Sequence, residues 1–263
     1  MKTRNRLLSS VLAAVLAASG VLAAGALPAS AAPTAPVNKY VALGDSYAAG
    51  QGGGDYLDAC LQSPNGYPAL LDSVKGVNLV RNVSCAQATT GDVNATQLSA
   101  LNRGTTLVTL TVGGNDLDVA GIAAICTAGD ALACSKTITD AAGRLPQLGS
   151  ALASTYAQIA AAAPRAQVIV AGYPYLFEPS ETDLRINQIN TATRLLNQTI
   201  QGAVDQAKAN GANIKFVDVS GRFIGHGIGS QEPWINSTLP DAFHPNTDGY
   251  KAYAAAIQAA LAR

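Results

Sequence analysis

Short apolar segments recur along the chain and alternate with longer stretches of helical character. The apolar segments that predict buried β-strands are residues 39–43, 77–83, 105–112, 167–171 and 213–219. The clearest helical stretches are residues 141–163, 186–209 and 249–261. Strands separated by long helical crossovers are typical of a parallel sheet that helices cover on both faces. We therefore predict a single-domain, three-layer α/β/α fold with a five-stranded parallel sheet.

The first 31 residues have the composition of an export signal rather than of a folded element. Lys2, Arg4 and Arg6 precede a run of apolar and small residues over positions 7–27, and Ala29-Ser30-Ala31 has the small-x-small pattern of a cleavage site. The alternative is an uncleaved membrane anchor, since the run approaches the length that spans a bilayer. We predict a signal peptide over residues 1–31, a folded domain over residues 32–263 and a secreted protein with no stable membrane span.

Charge and composition exclude several classes of partner. The 263 residues include 17 basic and 17 acidic side chains, and 48% of the residues are hydrophobic. Removal of residues 1–31 takes away three basic side chains and no acidic one, which leaves a net charge of −3. A chain without a basic excess lacks the electrostatic signature of nucleic-acid binding, so we expect no nucleic-acid partner.

Four cysteines stand in the part of the chain that follows the predicted signal. An even number of cysteines in an exported protein favours disulfides, and Cys60, Cys85, Cys126 and Cys134 allow three connectivities. Pairing between sequence neighbours, Cys60 with Cys85 and Cys126 with Cys134, is the default expectation. No Cys-x-x-Cys pair is present, and we expect neither a zinc site nor any other metal.

Three turns rich in glycine and small polar residues follow predicted strands. They contain Gly44-Asp45-Ser46, Gly91 and Gly113-Gly114-Asn115-Asp116. Ligands of such sheets bind beyond the carboxyl ends of the strands, and glycine lets the backbone approach a ligand closely. Ordinary turn chemistry accounts for any one of these turns. Three of them at one edge of the sheet predict a ligand site there.

Candidate acid–base chemistry is limited to a few residues, because the chain has only two histidines, His226 and His244. Asp241 lies three residues before His244, a spacing that lets a carboxylate orient the imidazole and leaves the other ring nitrogen for a nucleophile. A local turn-capping role is the alternative for Asp241. The Gly-x-Ser-x-Gly elbow is absent, since Ala48 follows Ser46 by two residues. A catalytic triad would run in the order Ser46, Asp241, His244.

Four sequence blocks together resemble those of the SGNH (GDSL-like) hydrolases. They are Gly44-Asp45-Ser46-Tyr47, Gly91, Gly113-Gly114-Asn115-Asp116 and Asp241-Ala242-Phe243-His244, in the family's order between residues 40 and 246. The pattern is most similar to secreted actinobacterial lipases and esterases. The resemblance implies a flavodoxin-like SGNH hydrolase fold over residues 32–263.

The resemblance also implies a chemical role for each block. Ser46 would be the nucleophile of a serine esterase that forms an acyl-enzyme, His244 the base and Asp241 its orienting acid. The backbone N–H groups of Ser46 and Gly91 and the side-chain amide of Asn115 would form the oxyanion hole, and no cofactor would be required. Some relatives lack the acid and orient the histidine with a backbone carbonyl, which is the alternative for Asp241. His226 would belong to a structural segment or to the wall of the pocket.

The expected substrate is a small-molecule or lipid-like carboxylic ester, hydrolysed by a monomer. Aromatic residues make up only 5% of the chain, with a single tryptophan, so stacking platforms for sugars are sparse. Two alternatives stay open. One is a carbohydrate acetylesterase that acts on acetylated polysaccharide, and the other is a non-catalytic binding module on the same fold.

Overall fold

Five parallel strands organise residues 37–261, the part of the chain that the computed structural model describes; the predicted signal peptide lies outside these residues. The strands are β1 (Asn38–Gly44), β2 (Val77–Asn82), β3 (Leu107–Thr111), β4 (Gln167–Ala171) and β5 (Ile214–Val217). Their order in the sheet is β2-β1-β3-β4-β5, and every neighbouring pair is parallel. The predicted α/β fold with a five-stranded parallel sheet is therefore confirmed. β3 is buried along its whole length, as expected of a central strand between two helical layers.

Seven α-helices lie in the described part of the chain. They are α1 (Ser46–Ala49), α2 (Tyr67–Asp72), α3 (Thr90–Asp92), α4 (Val119–Thr127), α5 (Ala131–Ala162), α6 (Leu184–Ala209) and α7 (Thr247–Leu261). Shorter helical turns follow at Val93–Gln97, Leu98–Ala100, Asn115–Leu117 and Ser220–Phe223. The three predicted helical stretches correspond to α5, α6 and α7.

The sequence pattern predicted the start of α5 incorrectly and did not predict α4. α5 begins at Ala131 rather than at residue 141, because the Asp130 side chain accepts hydrogen bonds from the backbone N–H groups of Leu132 and Ala133 and so caps the helix. α4 has only nine residues and contains Gly121 in its first turn, which weakens its helical signal.

Two disulfides fasten the segments around this edge of the sheet. Cys60 is joined to Cys85, which follows β2, and Cys126 of α4 is joined to Cys134 of α5. This is the pairing of sequence neighbours, and residues 37–261 contain no free cysteine. No helix within the same residues is long and apolar enough to cross a membrane.

Candidate active site

The turn after β1 brings Ser46 to the start of a short helix. Gly44 has a φ of +125°, and a Cβ atom at this position would lie 2.2 Å from the carbonyl oxygen of Thr111, so only glycine fits against β3 here. Asp45 caps α1 by accepting a hydrogen bond from the backbone N–H of Tyr47. Because Ser46 is the first residue of α1, its backbone N–H has no acceptor within the helix. The turn thus presents both the hydroxyl and the N–H of Ser46.

The loop that precedes α7 brings His244 into direct contact with Ser46. The His244 Nε2 atom lies 2.7 Å from Ser46 Oγ, and the His244 Nδ1 atom lies 3.0 Å from the carbonyl oxygen of Ala242. A carbonyl oxygen can only accept, so Nδ1 carries the proton and the lone pair of Nε2 faces the serine hydroxyl. This is the arrangement that a general base for Ser46 requires.

The structure does not place Asp241 where the sequence predicted it. The Asp241 Oδ1 atom accepts a hydrogen bond of 2.5 Å from the hydroxyl of Tyr56, and the nitrogen of His244 that Asp241 was expected to orient is bound to Ala242 instead. The hydroxyl of Tyr56 also accepts the backbone N–H of Gly52, at 2.8 Å. The carboxylate of Asp241 therefore joins its own loop to the loop that follows α1.

A strained residue explains how a backbone carbonyl reaches the imidazole. Phe243, between Ala242 and His244, has a φ of +69°, a left-handed conformation that costs a non-glycine residue about 1–2 kcal/mol. Two hydrogen bonds hold it: Tyr47 donates its hydroxyl to the carbonyl of Phe243 at 2.5 Å, and the N–H of Phe243 donates to Asn236 at 2.8 Å. The resulting turn folds the Ala242 carbonyl back onto His244.

Burial decides the protonation state of His244. Desolvation lowers the pKa of His244 below its usual value of 6.5, and this effect outweighs the opposing influence of the Ala242 carbonyl and of the Asp241 charge. The imidazole is therefore neutral near pH 7, the state in which it can take a proton from a hydroxyl.

Two of the three predicted oxyanion donors line the cleft around Ser46. They are Ser46 and Asn115, whose side-chain amide also donates to the carbonyl of Ala88 at 2.9 Å. Gly91 is exposed and lies outside the residues that line the cleft. Its neighbour Thr90 donates its hydroxyl to Asp116 at 2.6 Å, so Asp116 ties the Gly91 turn to the Asn115 turn.

A buried chain of hydrogen bonds links the Ser46 turn to the Asn115 turn. The backbone N–H of Gly114 donates to the hydroxyl of Tyr173 at 2.9 Å, and this hydroxyl donates to Asp45 in a very short hydrogen bond. Burial raises the pKa of Asp45 to about 7, although the hydrogen bonds from Tyr173 and from the N–H of Tyr47 oppose the rise. The sequence pattern placed Asp45 within a turn and predicted no role for Tyr173.

The cleft around Ser46 has a volume of about 370 Å³ and largely apolar walls. Its larger aliphatic and aromatic side chains include ones from α4, from the segment after β4, from α6 and from the loop before α7, among them Val119, Leu176, Leu196, Leu239, Pro240 and Phe243. Such walls suit an apolar ligand that a few polar groups orient. Within residues 37–261, no three acidic, histidine or cysteine side chains form a group that could hold a metal ion.

His226 lies outside this cleft. Its ring stacks on that of Trp234, with 3.6 Å between the ring centroids, and its Nδ1 atom lies 2.8 Å from the carbonyl oxygen of Glu232. These contacts hold the loop that leads toward His244 and are consistent with the structural role that the sequence suggested for His226.

Comparisons with known proteins agree with this fold. Residues 42–252 match the model of the GDSL-like Lipase/Acylhydrolase family. A lipase from Streptomyces rimosus is 36% identical over 238 residues, which cover 86% of this chain and 87% of that protein. The crystal structure of an extracellular lipase from S. rimosus has a TM-score of 0.79 and 34% identity, and the match covers 85% of this chain and 100% of that one. The crystal structure of a phospholipase A1 from Streptomyces albidoflavus NA297 has the same TM-score and 32% identity, and the match covers 85% of this chain and 99% of that one.

Fold and relatives together define the class of this protein: it is a carboxylic-ester hydrolase. The chain belongs to the GDSL-like lipase/acylhydrolase family, as its sequence blocks predicted.

Proposed function

We propose that this protein is a secreted serine esterase or lipase in which Ser46 and His244 carry out the chemistry. The observation that carries the proposal is the 2.7 Å hydrogen bond between Ser46 Oγ and His244 Nε2, combined with the Nδ1–H of His244 bound to the Ala242 carbonyl. The Ser46 hydroxyl, the imidazole that acts as its base and the Ala242 carbonyl that orients the imidazole therefore form one continuous chain of hydrogen bonds.

In the first half of the reaction, Ser46 Oγ attacks the ester carbonyl carbon while His244 Nε2 takes the hydroxyl proton. Negative charge develops on the carbonyl oxygen, and the Ser46 N–H and the Asn115 amide donate to it. One such donor contributes about 10²- to 10³-fold to kcat. The C–O bond to the alcohol then breaks, and His244 gives its proton to the leaving oxygen. A water molecule, activated by the same histidine, hydrolyses the acyl-serine ester and releases the acid.

For Asp241 we propose a positioning role in place of the orienting acid that the sequence suggested. Its carboxylate binds Tyr56, whereas the backbone carbonyl of Ala242 takes the proton of His244 Nδ1. The negative charge of Asp241 still raises the pKa of His244 and so favours the imidazolium that forms during the reaction. The site therefore works as a Ser–His pair with a backbone acceptor. The resemblance to the family is what supports Gly91 as a third oxyanion donor; Gly91 lies outside the residues that line the cleft, and the hydrogen bond from Thr90 to Asp116 holds its turn against the Asn115 turn.

Lipid-like esters are the substrates that the cleft supports best. Its walls are mostly apolar, and the relatives described above bear the names lipase and phospholipase A1. The signal-like residues 1–31 and the two disulfides support secretion. No feature of the cleft favours the acetylated-polysaccharide alternative. The contact between Ser46 and His244 argues against a non-catalytic binding module.

The proposal is tested by incubating the protein without residues 1–31 with p-nitrophenyl esters of graded chain length, phosphatidylcholine and acetylated xylan. Hydrolysis of the acyl esters and of the lipid is expected, and a phosphonate inhibitor should label Ser46 in peptide maps. Hydrolysis of acetylated xylan alone would support the polysaccharide alternative. An adduct on another serine would overturn the assignment of the nucleophile.

A further inference from the structure

A buried glutamine side chain binds the peptide groups on both sides of Gly44, two residues before Ser46. The Gln97 Oε1 atom accepts the backbone N–H of Gly44 at 2.7 Å, and the Gln97 Nε2 atom donates to the carbonyl oxygen of Gly44 at 2.9 Å. Gln97 is only 3% exposed, and both polar ends of its side chain take part in this pair of hydrogen bonds. The amide of Gln97 therefore binds Gly44 in the way that a residue of a neighbouring strand would.

Gln97 occupies the place beside Gly44 that β2 does not reach. The pairing of β1 with β2 ends at Ala42 and Asn82, so Gly44 lies beyond it. The carbonyl of Gly44 also accepts the N–H of Cys85, at 3.0 Å, whereas Gln97 is the acceptor that the N–H of Gly44 has among residues 37–261. Because Gly44 is buried, an N–H without an acceptor at this position would be costly.

Gln97 ends a helical segment that contains Gly91. The segment begins with α3 and continues as the π-helical turn Val93–Gln97. A π-helical turn closes hydrogen bonds between residues five apart, is rare and is frequently found at functional sites. Here it ends on the residue whose side chain binds Gly44. The Gly91 turn and the Ser46 turn are thus joined through one side chain.

The hydrogen bonds of Gln97 also fix the peptide group that precedes the proposed oxyanion donor. The carbonyl of Gly44 and the N–H of Asp45 belong to one peptide group. Gln97 binds its carbonyl, and the carbonyl oxygen of Thr111 accepts its N–H at 2.9 Å. The next peptide group along the chain carries the N–H of Ser46. Since the first group is held from both sides of β1, the orientation of the second is restricted.

We propose that Gln97 is a positioning residue that keeps the N–H and the hydroxyl of Ser46 aligned and couples the Gly91 turn to the Ser46 turn; the inference rests on the proposed esterase function. Gln97 does not line the cleft, so it acts on the reaction only through Gly44. Oxyanion donors are effective because they are in place before charge develops on the substrate. Loss of the two hydrogen bonds should therefore lower kcat and leave KM nearly unchanged.

The test compares Gln97→Met with Asn187→Leu, a matched control on α6. The amide of Asn187 likewise accepts the N–H of Ser180, at 3.1 Å, and donates to its carbonyl, at 2.6 Å. Neither Asn187 nor Ser180 lines the cleft, and both substitutions replace a carboxamide by an apolar side chain of similar size. On p-nitrophenyl butyrate, Gln97→Met should lower kcat at least about tenfold and change KM less than about twofold. Asn187→Leu should keep both constants.

Gln97→Glu separates positioning from a merely structural role. A protonated glutamic acid can accept the N–H of Gly44 and donate to its carbonyl, whereas the ionised form cannot donate. Burial raises the pKa of a carboxyl group, so the protonated form becomes populated as the pH decreases toward mildly acidic values. The ratio of kcat in Gln97→Glu to kcat in the parent protein should therefore rise as the pH falls, and the same ratio for Gln97→Met should stay constant. The ratio cancels the titrations of His244 and Asp45, which all three proteins share.

Amide hydrogen exchange measures the coupling without reference to activity. In Gln97→Met, exchange should become faster in residues 44–46 and in residues 90–93, and in Asn187→Leu both segments should exchange as in the parent protein. An unchanged kcat in folded Gln97→Met would overturn the positioning role and leave the esterase intact. If Gln97→Met does not fold, a kcat ratio for Gln97→Glu that is independent of pH would overturn it. Failure of the parent protein to hydrolyse any ester would instead overturn the proposed function, and unchanged exchange in Gln97→Met would then still contradict the coupling of the two turns.

Discussion

Two aspartates border the candidate active site, and their surroundings differ sharply. Asp45, in the turn after β1, is buried and bound to Tyr173 and to the N–H of Tyr47, and its pKa is raised to about 7. Asp241, in the loop before α7, is half-buried and bound to Tyr56. Neither carboxylate accepts the proton of His244 Nδ1, which is bound to the Ala242 carbonyl.

This difference shows that spacing along a chain identifies which residues are near each other but not how their side chains are oriented. The Asp-x-x-His spacing does bring Asp241 close enough for its charge to raise the pKa of His244. The strained Phe243 then turns a backbone carbonyl toward the imidazole in place of the carboxylate. Asp45, which the sequence assigned to a turn, instead connects the Ser46 turn to the Asn115 turn through Tyr173.

The largest expected effect follows from removing Ser46 or His244, the two side chains that take part in bond making. The resulting loss of kcat is the reference with which the effects of variants at and around Asp45 and Asp241 are compared. Ser46→Ala and His244→Ala should each lower kcat at least about 10⁴-fold, and the double variant should lose no more than either single one. Steady-state kinetics on a soluble ester measures this, with folding checked by circular dichroism. Additive losses in the double variant would show that the two residues do not act as one unit.

A smaller loss is expected when an oxyanion donor is removed from the Asn115 turn. Asn115→Ala should lower kcat about 10²- to 10³-fold with little change in KM, because its amide is needed only when charge develops on the substrate oxygen. Asn115→Asp offers no such donor when ionised and should lose at least as much. An increase in KM with unchanged kcat would mean that Asn115 binds the ground state instead.

Tyr173→Phe tests the hydrogen-bonded link between Asp45 and the Asn115 turn. The variant leaves the Asp45 carboxylate and the Gly114 N–H without their partner in a buried region, which costs about 1–3 kcal/mol of stability. We expect kcat to fall about tenfold because the oxyanion donors lose part of their support. Tyr156→Phe is the matched control, since the hydroxyl of Tyr156 is buried and has no hydrogen-bond partner among the described residues. Equal effects of the two variants on kcat would contradict the positioning role of Tyr173.

The pH dependence separates the titration of His244 from that of Asp45. His244 has to be neutral to act as a base, and its lowered pKa keeps it neutral to lower pH. We therefore expect kcat/KM to fall, as the pH decreases, only below pH 6.5. The same acidic limb should persist in Asp45→Asn. If kcat/KM instead falls near pH 7, and this fall disappears in Asp45→Asn, the group that titrates is Asp45.

Much of the fold and of the site's composition could be predicted from the sequence, because both depend on local pattern. β4 occupies the predicted residues 167–171, and Ser46, Asn115 and His244 all line one cleft. The orientation of the side chains in the site could not be predicted, since it depends on contacts between segments that are far apart in the sequence. The Tyr56 hydroxyl that binds Asp241 is 185 residues away, and the Tyr173 hydroxyl that binds Asp45 is 128 residues away. Near Tyr173 the chain carries only a local turn signal, since Gly172 and Pro174 flank it directly after β4.

The kcat of Asp241→Asn tests the central claim most directly, because this variant removes the charge and keeps an oxygen that can accept from Tyr56. If the Ala242 carbonyl orients His244, kcat on a soluble ester should fall no more than about tenfold, a small loss beside that of a triad acid. Tyr56→Phe, which breaks the same contact from its other side, should lose no more than that. A loss of about 10⁴-fold in correctly folded Asp241→Asn, as in serine proteases that lack their aspartate, would contradict the account and restore Asp241 as the orienting acid.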